Sequence, residues 1–249
     1  MTYIIIIFIL GLIIGSFLNV LICRLPDLKS IASTRSYCPQ CKHSLSYVDM
    51  IPVFSFLLLS GHCKYCRKNI SWQYPLVEIA TALLFVALYL QFGLTFYSVF
   101  QIIVSCCLIV VFVYDAQRQL IPDEMLLAIV FVTIIYYISQ YKFFDFTNIL
   151  IAIFIPILLT GAIVFLSKGK GMGIGDIKLS AVLGLVLGYP NILIALFVAF
   201  VVGAIYGIIA IIAGKNKLKD AIAFGPFLII GFYITLFWGQ NILNWYLKI

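Results

Sequence analysis

The stretch "YIIIIFILGLIIGSFLNVLI", residues 3–22, carries no charged side chain. As a helix rising 1.5 Å per residue it extends about 30 Å, the thickness of a bilayer's hydrocarbon core. Runs of the same character return at 75–92, 98–115, 122–139, 148–166, 177–189, 192–213 and 221–240. The sixth of these eight is short and has to borrow length from "GYPN" or from the glycine loop before it. The first run lacks a basic n-region and a small-residue cleavage site, so it is expected to stay in the mature chain as a spanning helix.

The composition agrees. The 249 residues are 64% hydrophobic and only 10% charged, with a mean hydropathy of +1.17, which excludes an ordinary soluble domain. The expected fold is an all-α polytopic membrane protein of about eight transmembrane helices lying in the lipid bilayer. A net charge of +7 invites a nucleic-acid reading, but the placement of the basic residues argues against one. With the N-terminus outside, the inner segments hold Arg24, Lys29, Arg35, Lys42, Lys64, Arg67, Lys68, Arg118, Lys168, Lys170, Lys178, Lys215, Lys217 and Lys219, and only Lys142 and Lys248 fall outside. That asymmetry is the positive-inside pattern. The charge reports topology, so no nucleic-acid partner is expected.

The one sizeable polar segment is residues 24–74, an insertion between the first two helices that this topology puts in the cytoplasm. It contains "CPQCKHSL" and "GHCKYC", which set Cys38, Cys41, Cys63 and Cys66 in two C-x2-C pairs. Two such pairs complete a closed tetrahedral zinc site that helps fold a segment with little core. With four thiolates the site has no open position and would be structural. Disulfides are the rival reading, disfavoured in a reducing compartment. His43 and His62 stand beside the pairs as alternative ligands or solvated neighbours. Cys23, Cys106 and Cys107 read as small core residues.

Nine acidic residues remain to be placed. Asp123 and Glu124 follow Pro122 at a helix start, where carboxylates suit the dipole. Asp27, Asp49, Asp145 and Asp220 read as solvated loop charges. Glu78 lies inside a membrane segment, either paired with Arg24 or Arg67 or functional. Asp115 ends the third helix, at the dipole's negative end, where a carboxylate is disfavoured; pairing with Arg118 is its bland explanation. Asp176 closes "GKGMGIGD" and begins the sixth helix, where it would serve as an N-cap beside a glycine linker. The topology, however, brings Asp115 and Asp176 to one side of the membrane and one depth. Two carboxylates that meet share a proton, and the pair can act as general base on a water and general acid toward a carbonyl or leaving amine. The glycines would let an extended peptide approach along an exposed backbone edge. Asp123, eight positions from Asp115, is a rival first member. Gly11 and Gly15 form a G-x-x-x-G that serves internal packing or dimerisation, and the oligomeric state stays open.

With Asp176 inside "GIGD", the chain resembles the type IV prepilin peptidases, GxGD membrane aspartyl proteases. "GSFLNVLICRLP" at 15–26, the cysteine segment at 38–78, "DAQRQLIPDEM" at 115–125, "GMGIGDIKL" at 171–179 and "FGPFL" at 224–228 occur as family blocks in the family order. The resemblance implies removal of the basic leader of type IV prepilins and pseudopilins at the cytoplasmic face. It also implies N-methylation of the new N-terminus from S-adenosylmethionine. The family's catalytic aspartates fall on Asp115 and Asp176, and its cysteine tetrad on Cys38, Cys41, Cys63 and Cys66. The chain then divides into 1–23, a first transmembrane helix; 24–74, the cysteine segment; and 75–249, a transmembrane protease domain. The location implied is the bacterial cytoplasmic membrane. The methyltransferase half rests on resemblance alone, so a leader peptidase without it is one alternative; a transporter using membrane carboxylates is another, and an assembly factor built on the zinc knuckle a third.

Overall fold

The computed structural model describes residues 2–25, 36–38, 40–46, 48–140, 146–169, 171–214 and 222–247. Of the charges named above, Lys29, Arg35, Lys142, Lys170, Lys215, Lys217, Lys219, Lys248, Asp27, Asp145 and Asp220 lie outside the described residues. The helices are α1 Thr2–Arg24, a short α2 Phe54–Leu58, α3 Gln73–Phe92, α4 Phe96–Arg118, α5 Asp123–Ser139, α6 Phe146–Leu166, α7 Ile174–Leu187, α8 Asn191–Ile212 and α9 Gly225–Leu247. Each of the eight apolar runs therefore contains most of a helix or lies within one. Among the described residues six helices, α1, α3, α4, α6, α8 and α9, are long and apolar enough to cross a membrane. The 17 residues of α5 and the 14 of α7 are shorter.

The chain divides into two compact units, Met1–Val110 and Val111–Ile249, with the division inside α4. In the first unit α1 packs against α3. The G-x-x-x-G of α1 is what lets them approach: a Cβ on Gly11 would lie 2.5 Å from the Ala82 Cα, and one on Gly15 would lie 2.7 Å from the Glu78 Cα. These glycines serve internal packing. Beside them Asn19, fully buried, donates to the carbonyls of Gly15 and Tyr74 at 3.3 and 3.1 Å, so its amide is satisfied within and across the helix pair. The three cysteines expected in the core are not there: Cys23 is exposed, and Cys106 and Cys107 are half-buried. In a bundle solvated by lipid, an outward thiol carries little penalty.

In the second unit α7 is the central element, packed against α5, α6, α8 and α9. This explains how a helix too short to match a bilayer is accommodated, because its surroundings are other helices more than lipid. Its Gly184 lies against the Ala152 carbonyl of α6, and Thr160 of α6 and Ser180 of α7 share a hydrogen bond of 3.2 Å. At the far end of the unit, Tyr137 of α5 donates to the Leu185 carbonyl, and Asn148 of α6 bonds both backbone groups of Tyr189. At the other end, Lys178 of α7 meets Asp123 of α5. Successive helices thus run antiparallel.

The α1–α3 contact gives a direct test. Gly11→Val forces a side chain into the Ala82 backbone and should destabilise the protein by about 1–3 kcal/mol, read as a lower Tm in detergent. Gly161→Ala, where a Cβ meets nothing within 4 Å, should leave Tm unchanged or higher. Equal melting of Gly11→Val and the unsubstituted protein would refute the packing account.

Candidate active site and metal centre

Asp115 lies in the last turn of α4, which continues to Arg118, and its carboxylate is only 4% exposed. Its Oδ2 accepts the backbone N–H of Gly225 at 3.0 Å. Gly225 is the first residue of α9, so the donor is one of the unpaired N–H groups of a helix start, at the positive end of its dipole. The unfavourable end of α4 is thus met by the favourable end of α9. The glycine is required there, because a Cβ would stand 2.5 Å from Oδ2 of Asp115.

Asp176 is 7% exposed and occupies the third position of α7, with Gly173 as the residue before the helix. Its Oδ2 accepts the Gly173 N–H at 2.9 Å. Asp176 is therefore not the N-cap expected from the sequence. It makes the backward half of a capping box, and the glycine supplies no side chain for the forward half. The glycine loop differs from expectation too. Gly173 is extended, but helix begins at Ile174, so an edge for an extended peptide is confined to the residues before it.

The two carboxylates share a neighbourhood. Ile121, in the loop between α4 and α5, sits between the first turns of α7 and α9: a Cβ on Gly175 would lie 3.2 Å from its Cβ, and one on Gly225 would lie 3.4 Å from its Cδ1. The rival Asp123 has a different setting. It is exposed and bound to Lys178 Nζ at 2.8 Å, tying the start of α5 to the start of α7. Arg118 turns to Tyr114, donating to its hydroxyl at 3.1 Å with the guanidinium 4.7 Å above the ring, so the pairing considered for Asp115 is not made. Gly225 and Ile121 were not singled out from the sequence. The signal for Gly225 was the "GP" of "FGPFL", a dipeptide suited to a helix start.

In the first unit Cys38, Cys41, Cys63 and Cys66 converge, with their four sulfurs within 4.8 Å of one another and Cys38 Sγ 4.0 Å from Cys66 Sγ. A tetrahedral ion with metal–sulfur bonds of about 2.3 Å places sulfurs roughly 3.8 Å apart, so small shifts would close the site around zinc. The two pairs are built alike at an offset of 25 positions in the backbone. Cys38 N–H bonds the His43 carbonyl and Cys63 N–H that of Lys68; Lys42 N–H bonds the Cys38 carbonyl and Arg67 N–H that of Cys63; Leu45 N–H bonds the Ser36 carbonyl and Ile70 N–H that of Gly61. Bridges Tyr37–Ser44 and His62–Asn69 repeat as well, and Lys42 and Arg67 adopt matching positive φ of 57° and 54°. This internal duplication escaped the sequence.

Burial raises the Cys38 thiol, but the backbone N–H groups of Cys41 and Gln40 and the neighbouring thiols outweigh it and bring it down to about 7. The Lys68 backbone favours the Cys66 thiolate, yet desolvation and three nearby sulfurs push it up to about 11. Four sulfurs so crowded ionise together only with a cation among them, which suits a metal. The histidines do not join: His43 stacks on Tyr65 at 3.7 Å, and His62 Nδ1 bonds the Ser60 carbonyl at 2.7 Å. Asp49 is no free loop charge. Its Oδ2 accepts from Ser46 Oγ and N–H at 2.8 and 3.1 Å and from the Tyr65 hydroxyl at 3.2 Å, which buckles the chain after the first pair onto the second. Those donors hold its carboxyl below the usual range. Glu78, buried in α3, accepts the Val53 N–H at 2.8 Å, a backbone donor in place of the arginines considered for it.

Residues 9–92 match the bacterial Peptidase A24 N-terminal domain, and residues 102–208 match the type IV leader peptidase family. Over 244 residues the chain is 35% identical to a Bacillus subtilis (strain 168) protein named prepilin leader peptidase/N-methyltransferase, covering 98% of this chain and 97% of that one. It is 32% identical over 275 residues to an Aeromonas salmonicida (strain A449) protein of the same name, with 99% and 94% covered. A Pseudomonas aeruginosa namesake is 32% identical over 267 residues, with 96% and 91% covered. No solved structure matches the chain. Near full-length similarity on this scale makes the chain a member of the type IV leader peptidase family.

Proposed function

We propose that the protein removes the basic leader of type IV prepilins or pseudopilins with an Asp115–Asp176 pair and then methylates the new N-terminal amine. The observation that carries the cleavage reading is the pair itself: two buried carboxylates at helix ends, each fixed through Oδ2 by a glycine N–H. Neither Oδ1 accepts a hydrogen bond from the described residues, so both are left for water and substrate. In the reaction the ionised carboxylate takes a proton from a water as its oxygen attacks the scissile carbonyl. The protonated partner donates to the carbonyl oxygen; as the C–N bond breaks, the first carboxyl gives the proton taken from water to the departing amine, and the diol's hydroxyl returns a proton to the partner. The shared names of the relatives support the methylation step. S-adenosylmethionine would supply an electrophilic sulfonium-bound methyl group to that amine.

The setting we propose is the bacterial cytoplasmic membrane, N-terminus outside. Arg24 in the last turn of α1, Arg118 in the last turn of α4 and Lys178 in the first turns of α7 stand at ends that alternate crossing brings to the inner face. Asp115, Asp176 and the Gly225 end of α9 fall on that face too, where the junction between a prepilin's basic leader and its apolar helix would arrive. Residues 1–23, 24–74 and 75–249 act on this reading as first helix, cysteine segment and protease domain, and Cys38, Cys41, Cys63 and Cys66 hold a structural zinc.

The purified protein in detergent should shorten a prepilin-type substrate by its leader, followed by mass, and with S-adenosylmethionine the product should gain one methylene. Asp115→Asn and Asp176→Asn should each lower cleavage by about 10²-fold or more, and Asp123→Asn by no more than about tenfold. Undiminished cleavage by either of the first two would overturn the pair. Gly225→Ala should lower cleavage at least about tenfold by displacing Asp115, whereas Gly173→Ala, whose Cβ has 3.6 Å of clearance, should be tolerated. Metal analysis should find about one zinc per chain, lost in the Cys38→Ser, Cys63→Ser protein together with several degrees of Tm; full stoichiometry there would dismiss these ligands.

A further inference from the structure

Helix α2 presents two unlike faces. Phe56 turns inward, its ring 4.9 Å from that of Trp72, while Phe54, Leu57 and Leu58, at i, i+3 and i+4, are 56%, 65% and 67% exposed. Trp72, 69% exposed, precedes α3 in helical conformation and stands on the stripe Leu76, Ile79, Leu83, Leu90, all exposed at helical spacing on a helix fit to cross a membrane. That stripe is α3's lipid face, and Leu57 of α2 lines one open groove with Trp72, so the apolar face of α2 adjoins it.

Depth fixes the occupant. The 20 residues of α3 extend about 30 Å, no more than the hydrocarbon core, so the helix begins at the membrane boundary. Glu78 lies about 8 Å further along the axis, and its carboxylate holds the N–H of Val53, the residue before α2, at 2.8 Å. Val53 is held there against its own backbone preference, at φ 60°. A helical side chain leans toward the N-terminus, so the carboxylate and the start of α2 lie level with the first turns of α3, just below the boundary and in the layer where interfacial helices lie. On the adjoining pair of cysteines, Lys64, Arg67 and Lys68 are exposed and complement anionic headgroups.

We infer that α2 is an interfacial anchor: Phe54, Leu57 and Leu58, with Trp72, insert among the headgroups and upper acyl chains of the bilayer that α3 crosses. The cysteine segment is thereby held against the membrane, tethered at α2 as well as at the end of α1 and the start of α3. The inference is independent of the peptidase reading.

The test uses the full chain in vesicles of phosphatidylcholine and phosphatidylglycerol brominated in the upper acyl chain. With Trp72→Phe, Trp238→Phe and Trp245→Phe, a single tryptophan is placed by Leu57→Trp, Phe54→Trp or, as a water-exposed reference on the other pair of cysteines, Ser44→Trp. The first two should lose at least about half their emission to the bromolipid and resist acrylamide, and Ser44→Trp should do the reverse. Quenching of both α2 positions by acrylamide alone means a wet face, and quenching by neither agent means a protein covers it; either result overturns the anchor. The unsubstituted protein gives a second reading: a phospholipid with a diazirine in its upper chain should label the peptide containing residues 51–59, and an unlabelled peptide would overturn the anchor as well.

Discussion

A carboxylate at the C-terminal end of an apolar helix is opposed by that helix's own dipole, and lipid offers it no water. Asp115 is tolerable because the N-terminus of α9 is delivered to it, bringing an unpaired N–H and the opposite dipole to its Oδ2. This contact constrains much of the second unit. It requires glycine at position 225, because any Cβ would occupy the carboxylate's place. Beside it Ile121 fills the space between the glycine-bearing starts of α7 and α9, and α7 is packed against α5, α6, α8 and α9. A helix as short as α7 is thus positioned by its neighbours, not by matching the thickness of the bilayer.

The same device is used twice. Asp176 is held by the N–H of Gly173, a contact within one turn, and Asp115 by the N–H of Gly225, a contact between elements 110 positions apart. In the proposed pair both carboxylates are oriented by backbone, which does not titrate and has few rotational alternatives, and each oxygen so held defines the direction of the other. Lys178 and Asp123 add a more exposed strap between α5 and α7, in a solvent-accessible position where an ion pair contributes little to stability but restrains two helix starts.

The helices were legible because lipid demands long apolar stretches: every expected run holds a helix, and six of those helices are long and apolar enough to cross. What the runs did not disclose was the placement of polar backbone. The start of α7 lies three residues before the apolar run at 177 because glycine composition conceals a helix start, and α9 begins at Gly225 instead of 221. Asp115 and Asp176 stood out by their positions at helix ends, whereas Gly225, which carries no functional group, could acquire a role only through a contact that no local pattern encodes. The cysteine segment divides in the same way. The convergence of four cysteines was readable from spacing, but the equivalence of Ser36–Leu45 and Gly61–Ile70 resides in backbone bonds and in two positive φ angles, and few side chains besides the cysteines are shared. Asp49 read as a loop charge because its three donors come from Ser46 and from Tyr65, 16 positions away.

The duplication bears on what the proposed metal does. Two equivalent backbone turns each contribute two sulfurs, so the tetrahedron is completed by symmetry of construction and leaves no position for water or substrate. The histidines that might have opened the site are engaged elsewhere, His43 on Tyr65 and His62 on Ser60. The family models fall on either side of residues 92 to 102, and the compact units part at Val110, so the sulfurs and the carboxylates belong to different units. A metal confined to a closed site in one unit is suited to folding that unit, and the hydrolytic chemistry proposed for the other has its acid and base without it. The metal's contribution then lies in shaping the segment between α1 and α3, where the burial of Glu78 against Val53 and the aromatic contact of Phe56 with Trp72 complete what four sulfurs begin.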